Sequence, residues 1–500
     1  MAPVLAIQSA KINRPFAGHF ASYQMVMASM GRNMLHENFT QPFLPKTELL
    51  VNGKKGLHLN QYPFPSVVAA FGVKFFKGGF EFWGRFQSIL CNTASIVLVG
   101  LIAALLWNEA VAWIAMVVFA YSPYTIIYGQ GFFSEPMSLL FFLLSLLFVL
   151  KKSCWKKILF SALCFSVAVT GRIHWVLFFP LPALWILFFH DSKDKILKFL
   201  GFSVLAGAMP LAWYGYTYFE GLKTDHLLTN AFLQVGMRQV ADHKYLADPE
   251  YYRHLIDIVA GTMLTPLFFP FLFFGFLTIK NLKKLFFIYL GILPGVLVIL
   301  LSPQKIMAHD FYLYPVFPFI ALAAAAGISQ CSQSFPMFQK FTGKAALAVL
   351  YLIISARFFY HPVFKYEENI SSMKAASLAI KQNTKPEDKV IVAAWEPAGL
   401  VYYGDRPAMT LELASLGKPL PGYLTNPKYT KVDLAEIARQ ESAMKDPIAW
   451  LEYLRAKGGA FLVTPDKKDL QNTPLLSYLE ARYKKLSSQS DGFYLFRLEA

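Results

Sequence analysis

Between residues 88 and 360 the chain alternates long apolar runs with short polar breaks. The runs fall at 88–106, 109–128, 134–150, 158–170, 175–189, 197–218, 258–279, 284–301, 312–328 and 344–360. Most approach the roughly 17–25 residues that a helix needs to cross a bilayer. The run at 158–170 is short and predicts a tilted or partly re-entrant helix. Ahead of these runs, Ser22–Phe39 places Met25, Val26, Met30, Met34 and Leu35 at helical spacing, the pattern of an amphipathic helix lying on the membrane surface. A Pro-rich connection and a polar turn at Asn52-Gly53-Lys54-Lys55 follow, and a second helix is expected near Pro65. From about residue 362 the pattern changes. Strand-like runs at 388–394, 459–465 and 493–499 alternate with helical patterns at 371–383 and 447–457, which predicts a small α/β domain.

The division expected is therefore 1–87 as a first outer loop, 88–361 as a helical membrane domain, and 362–500 as an α/β domain outside the membrane. Composition agrees with it. Of the 500 residues 55% are hydrophobic and only 16% charged, against roughly 25% charged in soluble chains. The net charge of +16 does not indicate nucleic acid, because the basic residues sit in loops between apolar runs and in the tail. Such an excess suits cytoplasmic membrane loops and contact with anionic membrane lipids. Cys91, Cys154, Cys164 and Cys331 include no CxxC pair and none lies in the tail, so a disulfide framework or zinc site is not expected.

Lysines orient the spans. Lys151, Lys152, Lys156 and Lys157, then Lys193, Lys195 and Lys198, then Lys280, Lys283 and Lys284, then Lys340 and Lys344 mark alternate links, which places those links in the cytoplasm. The opposite links hold little: Arg172 in one and Lys305 in another. Residues 1–87 then lie outside, yet only the short apolar stretch Met1–Ala10 precedes Lys11 and Arg14. That is too short for a span or an ordinary signal peptide, so a first span is expected upstream or in truncated form.

This topology gathers the few membrane-level charges on one face: Glu135, the Arg172/His174 pair, and His309-Asp310. Ionisable groups at that level are costly and mark a functional site by default. Glu135, in Ser134-Glu135-Pro136, either caps a helix start or serves as a membrane-surface carboxylate that binds a metal ion or moves a proton. Arg172 and His174 either snorkel to the interface beside Trp175 or clamp a phosphate. His309 and Asp310, with Lys305 and Tyr312, either cap and line the interface or orient a phosphate or sugar hydroxyl. Most titratable groups of the first loop, among them His19, Glu37 and Glu48, read as a solvated face. The tail shows no Gly-rich phosphate loop and no G-x-S-x-G.

Several segments together resemble the GT-C class of membrane glycosyltransferases, in particular bacterial relatives of protein O-mannosyltransferases and of lipid A aminoarabinose transferase. They are RPFAGHFASYQMVMASMGRNML, HLNQYPFPSVVAA, FEFWGRFQSIL, AYSPYTIIYGQGFFSEPMSLLFFLLSLL, AHDFYLYPVFPFIALAAAAGI and, in the tail, KPEDKVIVAAWEPAGLVYYGDRP. The resemblance covers most of the chain in the same order. It implies a polytopic α-helical enzyme of 8 or more spans, here about 10–11, with an outer α/β domain. It also implies transfer of a hexosyl or pentosyl unit from a polyprenyl-phosphate donor to a lipid, glycan or protein acceptor, usually with inversion at the sugar carbon. Glu135 matches the acid that opens the family's second outer loop, and Arg172, His174 and His309 loosely match residues that hold the carrier phosphate.

The family's first-loop acid is missing: Ala21, Ser22, Tyr23 and Gln24 stand where it is expected. His19 is the nearest titratable group and could act as base; otherwise Glu37 or Glu135 takes the role, or the chain is inactive. No diagnostic metal-ligand cluster is visible, and a divalent cation is the one cofactor the chemistry leaves open. The sequence thus predicts a multi-pass inner-membrane glycosyltransferase with its site on the outer side. The rivals are a transporter or flippase for lipid-linked sugars, which predicts inverted repeats that are not seen, and a non-catalytic envelope assembly protein.

Overall fold

The computed structural model describes residues 2–10, 12–16, 20–41, 45–51, 54–57, 61–151, 154–223, 243–334, 349, 353, 370–393, 398–411, 442, 445–471, 473–488 and 491–498. It divides into two compact units, one made of residues 1–14, 81–215 and 235–364, the other of residues 15–80, 216–234 and 365–500.

The first unit is helical. Among the described residues four helices are long and apolar enough to cross a membrane: Phe80–Leu106, Lys195–Phe219, Leu282–Leu301 and Asp310–Ser334. Two further spans are bent pairs. The run 109–128 folds as Glu109–Ala120 and Pro123–Gly129 with a 62° bend, where Ser122 caps the second helix through the Tyr124 amide and Pro123 fits its first turn. The run 258–279, read as one span, is broken by 99° between Pro249–Met263 and Thr265–Thr278, with Thr265 at φ +62° and Pro266 opening the second helix. Glu135–Leu150 and Trp155–Gly171 pair side by side, joined in their core by Ser145 and Ser161, whose hydroxyls lie 2.9 Å apart. The run 344–360 lies outside the described residues, apart from positions 349 and 353. Ala2–Ser9 is a short helix of this unit, fixed by Gln8 donating to the Thr125 carbonyl at 3.4 Å.

The second unit is a sheet between helices. Its strands are β1 (Lys46–Val51), β2 (Lys54–Leu57), β3 (Lys389–Val392), β4 (Ala408–Thr410), β5 (Gly459–Thr464), β6 (Lys484–Lys485) and β7 (Tyr494–Arg497). Their order is β2-β1-β4-β3-β5-β7-β6, parallel from β1 through β4 and β3 to β5 and antiparallel at both ends. Alternate residues face opposite sides. Ile391, Met409, Leu462 and Phe496 pack with Leu451 and Leu479 of the Pro447–Ala456 and Pro474–Arg482 helices. Val390, Val392, Val463 and Leu495 pack with Ile380 and Leu400 of the Ile370–Asn383 and Ala398–Gly404 helices. The predicted helical membrane protein with a C-terminal α/β part is therefore the observed architecture.

Two strands of that sheet come from the first loop. The amphipathic helix is Ala21–His36, and Met25, Met27, Met30 and Met34 are buried within this unit, beside the Phe64–Phe76 and Ala398–Gly404 helices. Gly31 is obligatory there, since a Cβ would fall 2.9 Å from the Ser66 carbonyl oxygen. Arg32 ties the two parts together. Its guanidinium donates to the Tyr402 carbonyl at 2.7 Å, pairs with Asp405 at 3.0 Å and lies 5.0 Å from the Tyr402 ring centroid. On the far side, Glu452 accepts from Tyr483 at 2.5 Å, Tyr478 at 3.1 Å and Arg455 at 2.8 Å.

Candidate functional site

The Glu135–Leu150 helix begins at the expected position, but Ser134 does not cap it. Its hydroxyl instead accepts from Arg172 Nε at 2.9 Å and lies 3.3 Å from Glu135 Oε2. The other carboxylate oxygen, Oε1, meets Arg172 Nη2 at 2.5 Å. Glu135 is fully buried and the Arg172 side chain is 11% exposed. A lone carboxylate in that position would carry a severe desolvation cost, so the pair exists because each charge compensates the other. Arg172 stands just past the C-terminus of Trp155–Gly171, in extended backbone that turns into the 3-10 segment Ile173–Phe178.

The chain from Pro303 to Val316 supplies the remaining groups. A short helix, Pro303–Ala308, carries Lys305, and a 3-10 turn, Asp310–Val316, leads into Phe317–Ser334. The Arg172 guanidinium lies 4.5 Å from the Phe311 ring centroid, a cation–π contact. His174 meets Tyr312 edge to face at 5.1 Å, and Lys305 Nζ is 5.8 Å from the same ring. His174 Nε2 is buried without a hydrogen-bond partner among the described residues. Burial holds the Lys305 pKa below its ordinary value. His309 stacks on Phe311 at 5.0 Å.

Asp310 is held by two tyrosines. Its Oδ1 accepts from Tyr128 at 2.6 Å and its backbone carbonyl from Tyr124 at 2.6 Å. Tyr314 donates to Asn92 at 3.2 Å, and Asn92 donates to the Thr125 carbonyl at 3.3 Å. The Tyr124, Tyr128 and Tyr314 rings touch one another, with centroids 4.7–5.5 Å apart.

The first unit thus brings together Glu135, Arg172, His174, Lys305, His309, Asp310 and Tyr312. Arg172 is engaged there by Glu135 and Ser134, and Asp310 by Tyr124 and Tyr128. Glu37 belongs to the second unit, where it pairs with Lys46 at 2.7 Å. His19 lies outside the described residues. Tyr124, Tyr128, Asn92 and Tyr314 were not singled out from sequence; the four-residue spacing of the first two, in SPYTIIYG, is the signal that could have found them. Among the described residues no three His, Cys, Asp or Glu side chains converge as a metal site.

No protein-family profile and no curated protein sequence matches the chain. Solved structures do. ArnT from Cupriavidus metallidurans bound to undecaprenyl phosphate superposes with a TM-score of 0.67 at 13% identity, over 100% of this chain and 97% of that one. Apo ArnT gives 0.61 at 13% identity, over 99% and 96%. The archaeal oligosaccharyltransferase AglB from Archaeoglobus fulgidus, in complex with an inhibitory peptide and a dolichol-phosphate, gives 0.52 at 12% identity, over 99% of this chain and 73% of that one. The chain accordingly has the GT-C fold, that of a multi-pass membrane protein with a small sheet at its C-terminal end.

Proposed function

We propose that the chain is a glycosyltransferase that moves a monosaccharide from a polyprenyl-phosphate carrier to a lipid, glycan or protein acceptor on the outer face of the membrane. The observation that carries the reading is the buried Glu135–Arg172 pair, clustered with Lys305, His174 and Tyr312. It occurs in a fold that ArnT presents with undecaprenyl phosphate bound. Arginine offers a planar fork of donors to phosphate oxygens, and lysine a point charge.

In the reaction an acceptor oxygen forms a bond to the anomeric carbon while the bond from that carbon to the phosphate oxygen breaks. The electron pair leaves with the polyprenyl phosphate, and the acceptor proton passes to a carboxylate. Arg172 and Lys305 stabilise the charge that grows on the leaving phosphate, and such preorganised cations act only where they are held still. Glu135 supplies that restraint. It is fully buried and engaged by Arg172 and Ser134, which makes it a positioning residue for Arg172. Asp310 is half-buried and oriented by Tyr128, so it is the carboxylate of the cluster we assign as general base. No step is assigned to a cation.

The test is transfer from radiolabelled polyprenyl-phosphate sugars by the protein reconstituted in liposomes. Labelled product is expected with at least one donor, and its absence with every donor overturns the reading.

A further inference from the structure

The Phe64–Phe76 helix has two unlike faces. Pro65, Ser66, Ala69, Ala70 and Gly72 are buried, and the Ser66 hydroxyl donates to the Met27 carbonyl at 2.8 Å, which seats that face on the Ala21–His36 helix. Val68, Phe71 and Phe75 fall on the other side and are 43%, 45% and 64% exposed. Phe39 extends the row. Its ring stacks on Phe71 with centroids 4.6 Å apart, and Phe71 stacks on Phe75 at 5.9 Å. The methionine face of Ala21–His36, which the sequence pattern sets on the membrane, is buried within the unit. The phenylalanine row is an apolar face still open to an outside partner, and such contiguous patches mark interaction surfaces.

The start of the neighbouring span identifies that partner. Phe80, the first residue of Phe80–Leu106, is buried over Gly31. A Cβ on Gly31 would fall 2.6 Å from the Phe80 ring and 2.9 Å from the Ser66 carbonyl oxygen. The head of the span and the first turn of the helix therefore sit side by side on one glycine. Lys77, Gly78 and Gly79 link the other end of the helix to the span. The 13-residue helix is only about 20 Å long, so its aromatic row stays close to the level at which the chain enters the bilayer. Phe82, Trp83 and Phe86, with centroids 5.0 and 5.6 Å apart, form an aromatic cluster in the first turns of the span, the composition of a membrane–water boundary. Lys74 fits the same boundary. Its Nζ lies 5.1 Å from the Phe39 centroid and 6.0 Å from that of Phe75, so its stem runs along apolar surface.

We infer that the Val68, Phe71 and Phe75 face, together with Phe39, lies in the interfacial layer of the leaflet that receives the start of Phe80–Leu106. The rings enter the upper acyl chains, and Lys74 stays at headgroup level, the arrangement of an in-plane amphipathic helix.

The test is a depth measurement on full-length protein, one copy per nanodisc of phosphatidylcholine and phosphatidylglycerol. Cys154→Ser removes an exposed native thiol. A nitroxide is then placed at Phe75→Cys and, in a separate protein, at Ser477→Cys, an exposed position on the Pro474–Arg482 helix. Power saturation compares collisions with oxygen, which concentrates among acyl chains, and with a nickel chelate, which stays in water. Oxygen collisions should dominate at position 75 and nickel collisions at 477. Labels at Val68→Cys and Phe71→Cys should match position 75, and they carry the test if F75C fails to fold. Nickel-dominated collisions at 68, 71 and 75 overturn the inference. So does a label at 75 that is water-exposed in single-copy discs but shielded, with dipolar broadening, in discs holding two copies, since a second copy is then the cover. The readout needs no sugar donor and no transfer, so it stands or falls apart from the proposed function.

Discussion

Glu135 and Glu452 are each held by one arginine and by hydroxyl groups, and they differ in how far water reaches them. Glu135 is fully buried against an Arg172 side chain that is 11% exposed. Glu452 is 27% exposed, beside an Arg455 at 40%. In the first pair neither charge can be removed without stranding the other in a dry site, so the interaction restricts geometry more than it adds stability. In the second, water already screens the ions and the two tyrosine hydroxyls carry more of the restraint. A buried pair of this kind is costly to keep, which is a reason to look for work that a fixed arginine does.

The largest effect expected is at that pair. Arg172→Ala should destabilise the protein by about 3–5 kcal/mol in detergent unfolding, because the buried Glu135 loses its countercharge, and should abolish transfer. The double change Glu135→Leu with Arg172→Met should melt closer to wild type than the single variant, yet remain inactive; recovered activity would reduce the pair to a structural tie. Asp310→Asn should cost only about 1 kcal/mol, since the Tyr128 hydroxyl still finds an oxygen. Its transfer rate should fall roughly 100-fold or more if the carboxylate accepts the proton, and a near-normal rate would return the role of base to another residue.

The second cluster yields smaller changes, read through pH. Burial pushes the Glu452 pKa up, but hydrogen bonds from Tyr483, Arg455 and Tyr478 outweigh it and hold the carboxyl below its ordinary 4.5. A folded-state value below the unfolded one gives stability that is full at neutral pH and drains away as pH falls through the folded value. Glu452→Gln should therefore lower the melting temperature at pH 7 and converge on wild type in acid; a difference that persists in acid contradicts the hydrogen-bond account. The smallest effect belongs to Arg253–Glu250, a 3.4 Å pair with side chains 73% and 70% exposed. Arg253→Ala should change stability by no more than about 0.5 kcal/mol.

How much of this was legible follows from how local each signal is. Bilayer-length apolar runs and alternating lysines predict Glu135, Arg172 and Asp310 on one face. That Arg172 lies against Ser134 and Glu135, and Asp310 against Tyr128, depends on helix packing between residues 38 or 37 and 182 positions apart, which no periodicity records. The kink at Thr265 left a trace in the following Pro266, but the unbroken apolar run concealed it. In the first loop, Asn52-Gly53 between ELLV and KKGL is a hairpin signal. It reads as a linker because its sheet partner, β4, is one short strand of the tail. The tail strands β3, β5 and β7 were readable because their hydrophobic runs are self-contained.

The strands lent by the first loop set a schedule for making the protein. Arg32 and the Tyr402 carbonyl it binds are 370 residues apart, so the sheet cannot close until translation is almost finished and the intervening helices have been made. Until then the β1 edge that pairs with β4, and the part of the methionine helix that packs on Ala398–Gly404, lack those partners. A nascent chain halted before the tail should thus present a sticky, protease-sensitive loop.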